Sequence, residues 1–143
     1  MLFRSRRILV AVEHSPADAT ILRHVKELAL LTGGELLLVH VADGWAARHF
    51  EQLQLRESEE MKGDRAYLDQ IAAELTAVPL KVTTTLAMGD PATELIRLVE
   101  EWQADLIAMS THGHRFVNDL LRGTTVNRVR HEVKVPVLLL RQQ

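Results

Sequence analysis

The chain predicts an α/β fold: one domain, residues 1–143, built on a doubly wound parallel sheet with helices on both faces. Three observations carry this. Short apolar runs rich in β-branched residues, such as Ile8–Val12, alternate with longer segments of helical period. Runs with no polar alternation read as strands buried on both faces, as in a parallel sheet between helix layers. Twice a capping residue followed by proline, Ser15-Pro16 and Asp90-Pro91, opens a helical pattern after a strand.

Ile8–Val12 is the first strand. Ser15 is the expected N-cap of the helix that follows, with Pro16 at its first position and Asp18 in its first turn. Ala17, Ile21, Val25, Leu28 and Thr32 form its inward stripe, and Gly33-Gly34 stops it. Glu35–Val41 is the second buried strand. Residues 42–60 read least clearly, as loop passing into helix. From Ser58 to Ala77 the positions Met61, Leu68, Ile71, Ala72 and Leu75 are helical. Leu80–Leu86 alternates, with Leu80, Val82, Thr84 and Leu86 on one face, which predicts a half-exposed strand near a sheet edge. After Asp90-Pro91, the residues Ala92, Leu95, Ile96, Val99 and Trp102 give a second amphipathic helix. Asp105–Met109 is the fourth strand, Thr124–Glu132 the last helix with Val126 and Val129 inward, and Val135–Arg141 the fifth strand.

Composition narrows the function. The 143 residues are 47% apolar and 25% charged with a net charge of −2, so no broad electrostatic grip on nucleic acid is expected. Arg4, Arg6 and Arg7 read as a solvated lead-in to the first strand. The absence of cysteine removes disulfides, thiolate nucleophiles and cysteine zinc sites. The apolar run after Arg4 is too short for a signal peptide, and none is long enough to span a bilayer. A cytoplasmic protein without membrane contact is the expectation.

The most informative stretch is Ser110-Thr-His-Gly113, followed by Gly123-Thr124-Thr125. Here an apolar strand ends in a glycine turn, and a second glycine precedes the expected start of the last helix. Glycine lets backbone approach a ligand closely, and amide groups at a helix start attract anions, so the arrangement suggests a phosphate cradle. Both glycines would also serve as plain turn residues, and Thr124 as a plain N-cap. In doubly wound sheets ligands sit beyond the carboxyl ends of the strands, where the strand order reverses. Glu13 and His14, His40 to Asp43, and Ser110 to Gly113 arrive there from three segments. His14, His40, His112 and His114 invite a metal, but their spacing matches no recognised ligand set, and no intrinsic metal is expected. His112, His114, Arg115 and Arg122 flank the cradle as candidate phosphate contacts. Trp45, His49 and Phe50 read either as a lid or as packing onto the sheet. No Walker-type Gly-Lys-Ser/Thr ending is present.

Nearly the whole chain resembles the universal stress protein family. The resemblance rests on Ile8-Leu-Val-Ala-Val12 with Ser15, Leu37-Leu-Val-His-Val41, Gly89-Asp-Pro-Ala92, Ala104-Asp-Leu-Ile-Ala-Met-Ser-Thr-His-Gly113 and Val135-Pro-Val-Leu-Leu-Leu-Arg141. The family's nucleotide-binding branch has the pattern Gly-x2-Gly-x9-Gly-(Ser/Thr). Gly113 matches its second glycine, His114–Arg122 the nine-residue spacer, and Gly123-Thr124 its end. Ser110 stands at the first glycine, and Glu13 where the family usually has aspartate. Both departures fall on the adenosine side.

The resemblance implies a five-stranded parallel sheet of order 3-2-1-4-5. It implies a site for ATP, or AMP or ADP, with Mg2+ a possible companion, at Val12, Glu13, Val41, Met109, Ser110, Gly113, Gly123, Thr124 and Thr125. The glycines and threonines would hold phosphates, Glu13 the ribose or the adenine edge, and Val41 would flank the base. It further implies a homodimer through strand five, Val137–Leu140, whose apolar edge needs covering. The function implied is that of a stress-response regulator with little or no turnover. Two other readings stay open: a weak ATP hydrolase in which His112 or His114 orients water, and a dimeric interaction module that binds no nucleotide.

Overall fold

Residues 6–43, 54–111 and 116–141 are described by the computed structural model. In chain order they form β1 (Arg7–Ala11), α1 (Ala17–Thr32), β2 (Glu35–Asp43), α2 (Gln54–Leu75), β3 (Lys81–Gly89), α3 (Pro91–Trp102), β4 (Leu106–Ser110), α4 (Phe116–Glu132) and β5 (Val137–Leu140). The strands make one parallel sheet in the expected order, β3-β2-β1-β4-β5.

Period-two alternation divides the core between the two faces of the sheet. Ile8, Val10, Leu36 and Leu38 pack with Ile21 and Val25 of α1 and Leu68, Ile71 and Leu75 of α2. Leu9, Leu37, Val39, Ile107 and Met109 pack on the other side with Leu95 and Val99 of α3 and Val126 and Val129 of α4. Neither face of the central strands meets water, so those strands needed no polar positions.

Several expected boundaries shift for identifiable reasons. α1 begins at Ala17 with Pro16, not Ser15, as its N-cap, although the Ser15 hydroxyl still accepts from Ala17 N at 3.3 Å. It ends as expected at Gly33, in the left-handed region at φ 67°. Thr32 is half-buried, and its hydroxyl donates back to the Leu28 carbonyl at 3.0 Å. β2 and β3 run on together through nine register pairs to Asp43 and Gly89, with β3 at the sheet edge as its alternation predicts. β5 starts at Val137, since Pro136 has no N–H to give the ladder; its carbonyl still accepts from Ile107 N at 3.1 Å.

The largest correction concerns the last helix. α4 starts at Phe116, not Thr124, so Gly123, Thr124 and Thr125 lie within it. Phe116, Val117, Leu120 and Leu121 already hold helical spacing. An interior glycine costs a helix only about 1 kcal/mol, which does not stop one begun on such a stripe. Four expected contacts, His112, Gly113, His114 and Arg115, lie outside the described residues, as do Trp45, His49 and Phe50.

Candidate functional site

β1 lies between β2 and β4, and the crossovers that follow β1 and β4 run in opposite directions, to β2 and to β5, which opens a crevice beyond their carboxyl ends. The ladder sets the heights. From Ala11↔Val39, Glu13 comes level with Val41; from Val10↔Ala108, Ser110 comes level with Val12. Val41 and Met109 pack on the α3 and α4 side of the sheet. Val12 packs on the α1 and α2 side and is 4% exposed, so it reaches the crevice through its main chain alone. Ser110 is also buried. A small hollow lined by Ile96, Val99, Gln103, Val133 and Val135 joins the carboxyl end of α3 to the segment before β5, at the opposite end of the sheet from this crevice.

The β1–α1 loop is wired to one buried carboxylate. Asp18, 1% exposed, accepts from the amides of Glu13 at 2.8 Å, His14 at 2.9 Å and Ser15 at 3.2 Å, and from the Tyr67 phenol at 2.6 Å. Three successive amides converge because His14 sits in the left-handed region at φ 61°. Such a run of N–H groups is an anion-binding concavity. Burial, and then the hydrogen bond to Asp18, push the Tyr67 phenol well above its ordinary range, so it stays a donor. Ser15 donates from its hydroxyl to Glu13 Oε2 at 3.1 Å and accepts from Ala17 N at 3.3 Å, so it still serves the first amide of α1. The Glu13 side chain is thus oriented by its own loop.

α2 fastens this loop from outside. His14 Nδ1 is 2.7 Å from Asp64 Oδ1, and the His14 ring stacks on Tyr67 with centroids 4.0 Å apart. His40 Nδ1 meets the Val12 carbonyl at 3.0 Å, and its Nε2 lies 3.4 Å from Asp64 Oδ2. Both nitrogens of His40 therefore face acceptors; a neutral ring serves one of them and a doubly protonated ring both. Two of the histidines that suggested a metal are spent on this clasp. Among the described residues no group of three or more His, Cys, Asp or Glu is arranged to hold a metal ion.

The sequence reading missed Asp18, Asp64 and Tyr67 as parts of this site. Asp18 passes for an ordinary first-turn acid. Asp64 and Tyr67 lie three apart on one face of α2, a spacing that puts them over the same neighbour but does not name it.

The opposite wall is made of β4 and α4. Thr111 N donates to the Leu140 carbonyl at 2.8 Å, which ties the end of β4 to β5. Thr124 is exposed and Thr125 half-buried on α4. Further along α4, Arg128 Nη1 reaches Asp90 Oδ2 at 2.8 Å, while Asp90 caps α3 by accepting from Thr93 N at 2.9 Å. The Thr93 hydroxyl and amide, with Arg128 behind them, hold the Asp90 carboxyl below the usual carboxylate range. This wall is anchored at its far end, by an exposed cap and ion pair.

Residues 4–141 match the model of the universal stress protein family. A universal stress protein of Thermus aquaticus is 32% identical over 140 residues, covering 95% of this chain and 98% of that one. Among solved structures, that of MJ0577, from Methanocaldococcus jannaschii, is 25% identical with a TM-score of 0.81, and 97% of each chain is covered. A universal stress protein from Archaeoglobus fulgidus, solved in complex with dAMP, has a TM-score of 0.65 over 96% of this chain and 98% of that one; at 16% identity the likeness is one of fold.

Proposed function

We propose, for a chain that belongs to the universal stress protein family, that it binds an adenine nucleotide in the crevice between β1 and β4 and acts as a stress-response regulator with little or no turnover. The observation that carries this is that Glu13, level with Val41, and Ser110, level with Val12, arrive together at the reversal point of the sheet, with Met109 one residue below Ser110. The bound dAMP of the Archaeoglobus relative supports an adenine nucleotide as the ligand class. ATP is the first choice, with AMP and ADP behind it, and Mg2+ would accompany the phosphates. Glu13 would take ribose hydroxyls or the adenine edge, Val41 would flank the base, and Gly113, Gly123, Thr124 and Thr125 would hold phosphates. A second copy would pair along β5, whose Val137–Leu140 lies at the sheet edge. Among the described residues no helix is long and apolar enough to cross a membrane.

The phosphate role carries a structural condition. Amides inside a helix already donate to carbonyls one turn back. For Gly123 and Thr124 to offer theirs, α4 has to begin near Thr124, with Phe116–Arg122 leaving the helix. The helical course of that segment equally favours the second reading, a dimeric module without nucleotide.

Calorimetric titration of nucleotide-stripped protein with ATP and Mg2+ decides between them. Saturable binding near one per chain, lost in Gly123→Glu while the thermal unfolding transition persists, is the expected result. Absence of binding, or undiminished affinity in Gly123→Glu, rejects the assignment. Circular dichroism in the same titration should register a fall in helix content.

A further inference from the structure

We propose that Asp18 is a specificity-determining residue: its carboxylate fills the anion-binding concavity of the β1–α1 loop, so this wall of the crevice receives hydroxyl donors through Glu13 and refuses phosphate. The identity of the ligand rests on the nucleotide reading above; the occupancy of the concavity does not.

Three successive amides, from Glu13, His14 and Ser15, aim at one point, the geometry that elsewhere captures phosphate at glycine-rich turns. Here that point is taken by the chain itself. Asp18 is held by a fourth donor, Tyr67 of α2, and is 1% exposed, so a solvent anion cannot exchange with it. The Tyr67 ring stacks on His14, and His14 Nδ1 is tied to Asp64, so α2 closes the concavity from behind. With its amides satisfied, the loop presents a second carboxylate, Glu13, steered by the Ser15 hydroxyl. Two carboxylates on one short loop repel a polyphosphate and attract O–H and N–H donors.

A nucleotide entering this crevice therefore has one favourable direction. Its sugar and base edge turn toward the loop of Glu13 and Asp18, and its phosphates turn toward α4. Asp18 sets that direction without touching the ligand, through the amides it occupies and the charge it adds.

The test replaces Asp18 by serine, which removes the anion and leaves a small polar side chain. Amide NMR follows Glu13, His14 and Ser15 while inorganic phosphate is added to millimolar levels. Phosphate should shift these three signals in Asp18→Ser and leave them unmoved in the wild type. If they stay unmoved in a variant that keeps the wild-type spectrum elsewhere, the concavity is not what Asp18 fills, and the proposal falls. Should Asp18→Ser fail to fold, the same variant is refolded in millimolar phosphate and, in parallel, in chloride of equal ionic strength: recovery of the folded spectrum in phosphate is expected, and a variant that phosphate rescues no better than chloride overturns the proposal.

A second arm compares ATP with its 2′-deoxy counterpart. The wild type should prefer the ribonucleotide by about tenfold, the worth of one hydrogen bond to a charged acceptor, and Asp18→Ser should lose most of that preference. A preference unchanged in the variant overturns the specificity role. A wild type that binds neither nucleotide brings down the nucleotide reading alone, and the phosphate arm still decides the case of Asp18.

Discussion

The two walls of the crevice are built by opposite means. On the β1 side every main-chain donor from Glu13 to Ser15 is matched to a buried carboxylate, which is clasped in turn by a phenol from a distant helix. On the β4 side Gly123, Thr124 and Thr125 lie inside a continuous helix, held by Val126 and Val129 in the core and by the Arg128–Asp90 pair towards its far end. The first wall is preorganised whatever it faces. The second must change its hydrogen bonding before it can grip an anion. For the nucleotide site proposed above, affinity would be set less by contacts than by the cost of re-forming one wall, since ligand and helix would compete for the same amides.

The largest effect that tests this contrast comes from the first wall. Asp18→Ala strands three amides and a phenol, and should cost about 3 kcal/mol of stability in urea unfolding, near the upper range for single substitutions. Tyr67→Phe removes one of the four donors and leaves the ring stacked, so about 1.5 kcal/mol is expected from the same measurement. Equal and small losses in both would mean that the loop holds its shape without the carboxylate, and the contrast between the walls would vanish.

Legibility in the sequence divides along the same line. The sheet and its faces could be read because buried parallel strands leave an unbroken apolar signature, as in Ile8–Val12 and Leu106–Met109. The order of the strands came from the family pattern, since no local property of Leu36 or Ile107 says which neighbours it will have. The role of Asp18 is hidden because its meaning depends on Tyr67, 49 residues away; locally it is one more acid in a first helical turn. His14 and His40 stand out by residue type, and the type suggests a metal. What they do instead is fixed by Asp64, which nothing in its charged surroundings distinguishes. Gly123-Thr124-Thr125 reads as a helix start because glycine and threonine favour caps. The apolar stripe from Phe116 to Leu121 outweighs that preference.

The second wall is tested by Gly123→Ala, with a smaller effect of informative sign. Inside a helix, alanine is better than glycine by about 1 kcal/mol, so the variant should be more stable by that amount in urea. Its affinity for ATP should fall, because a more stable α4 yields its amides less readily and a methyl group obstructs close approach of a phosphate. If the variant is less stable than the wild type, Gly123 is using a backbone conformation that alanine cannot adopt. The second wall would then be preformed like the first.

The smallest effect concerns the anchor that α4 keeps at its far end. Asp90 carries a carboxyl whose affinity for protons is lowered on folding from the ordinary 3.8, first by its hydrogen bonds from Thr93 and then by Arg128. A group lowered in this way stabilises the fold fully above its unfolded value and loses that contribution as the pH falls through its folded value. Its side chain is 58% exposed, so screening by water keeps the charge contribution small. Asp90→Asn retains an acceptor for the α3 amides and loses only the charge. At neutral pH it should cost about 0.5 kcal/mol, and the deficit should close as wild type and variant are titrated below pH 3.8, where the wild-type carboxyl takes up its proton. A deficit that persists unchanged in acid would assign the loss to the shape of the cap. Arg128 would then hold α4 by hydrogen bonding alone, and salt would not loosen the second wall.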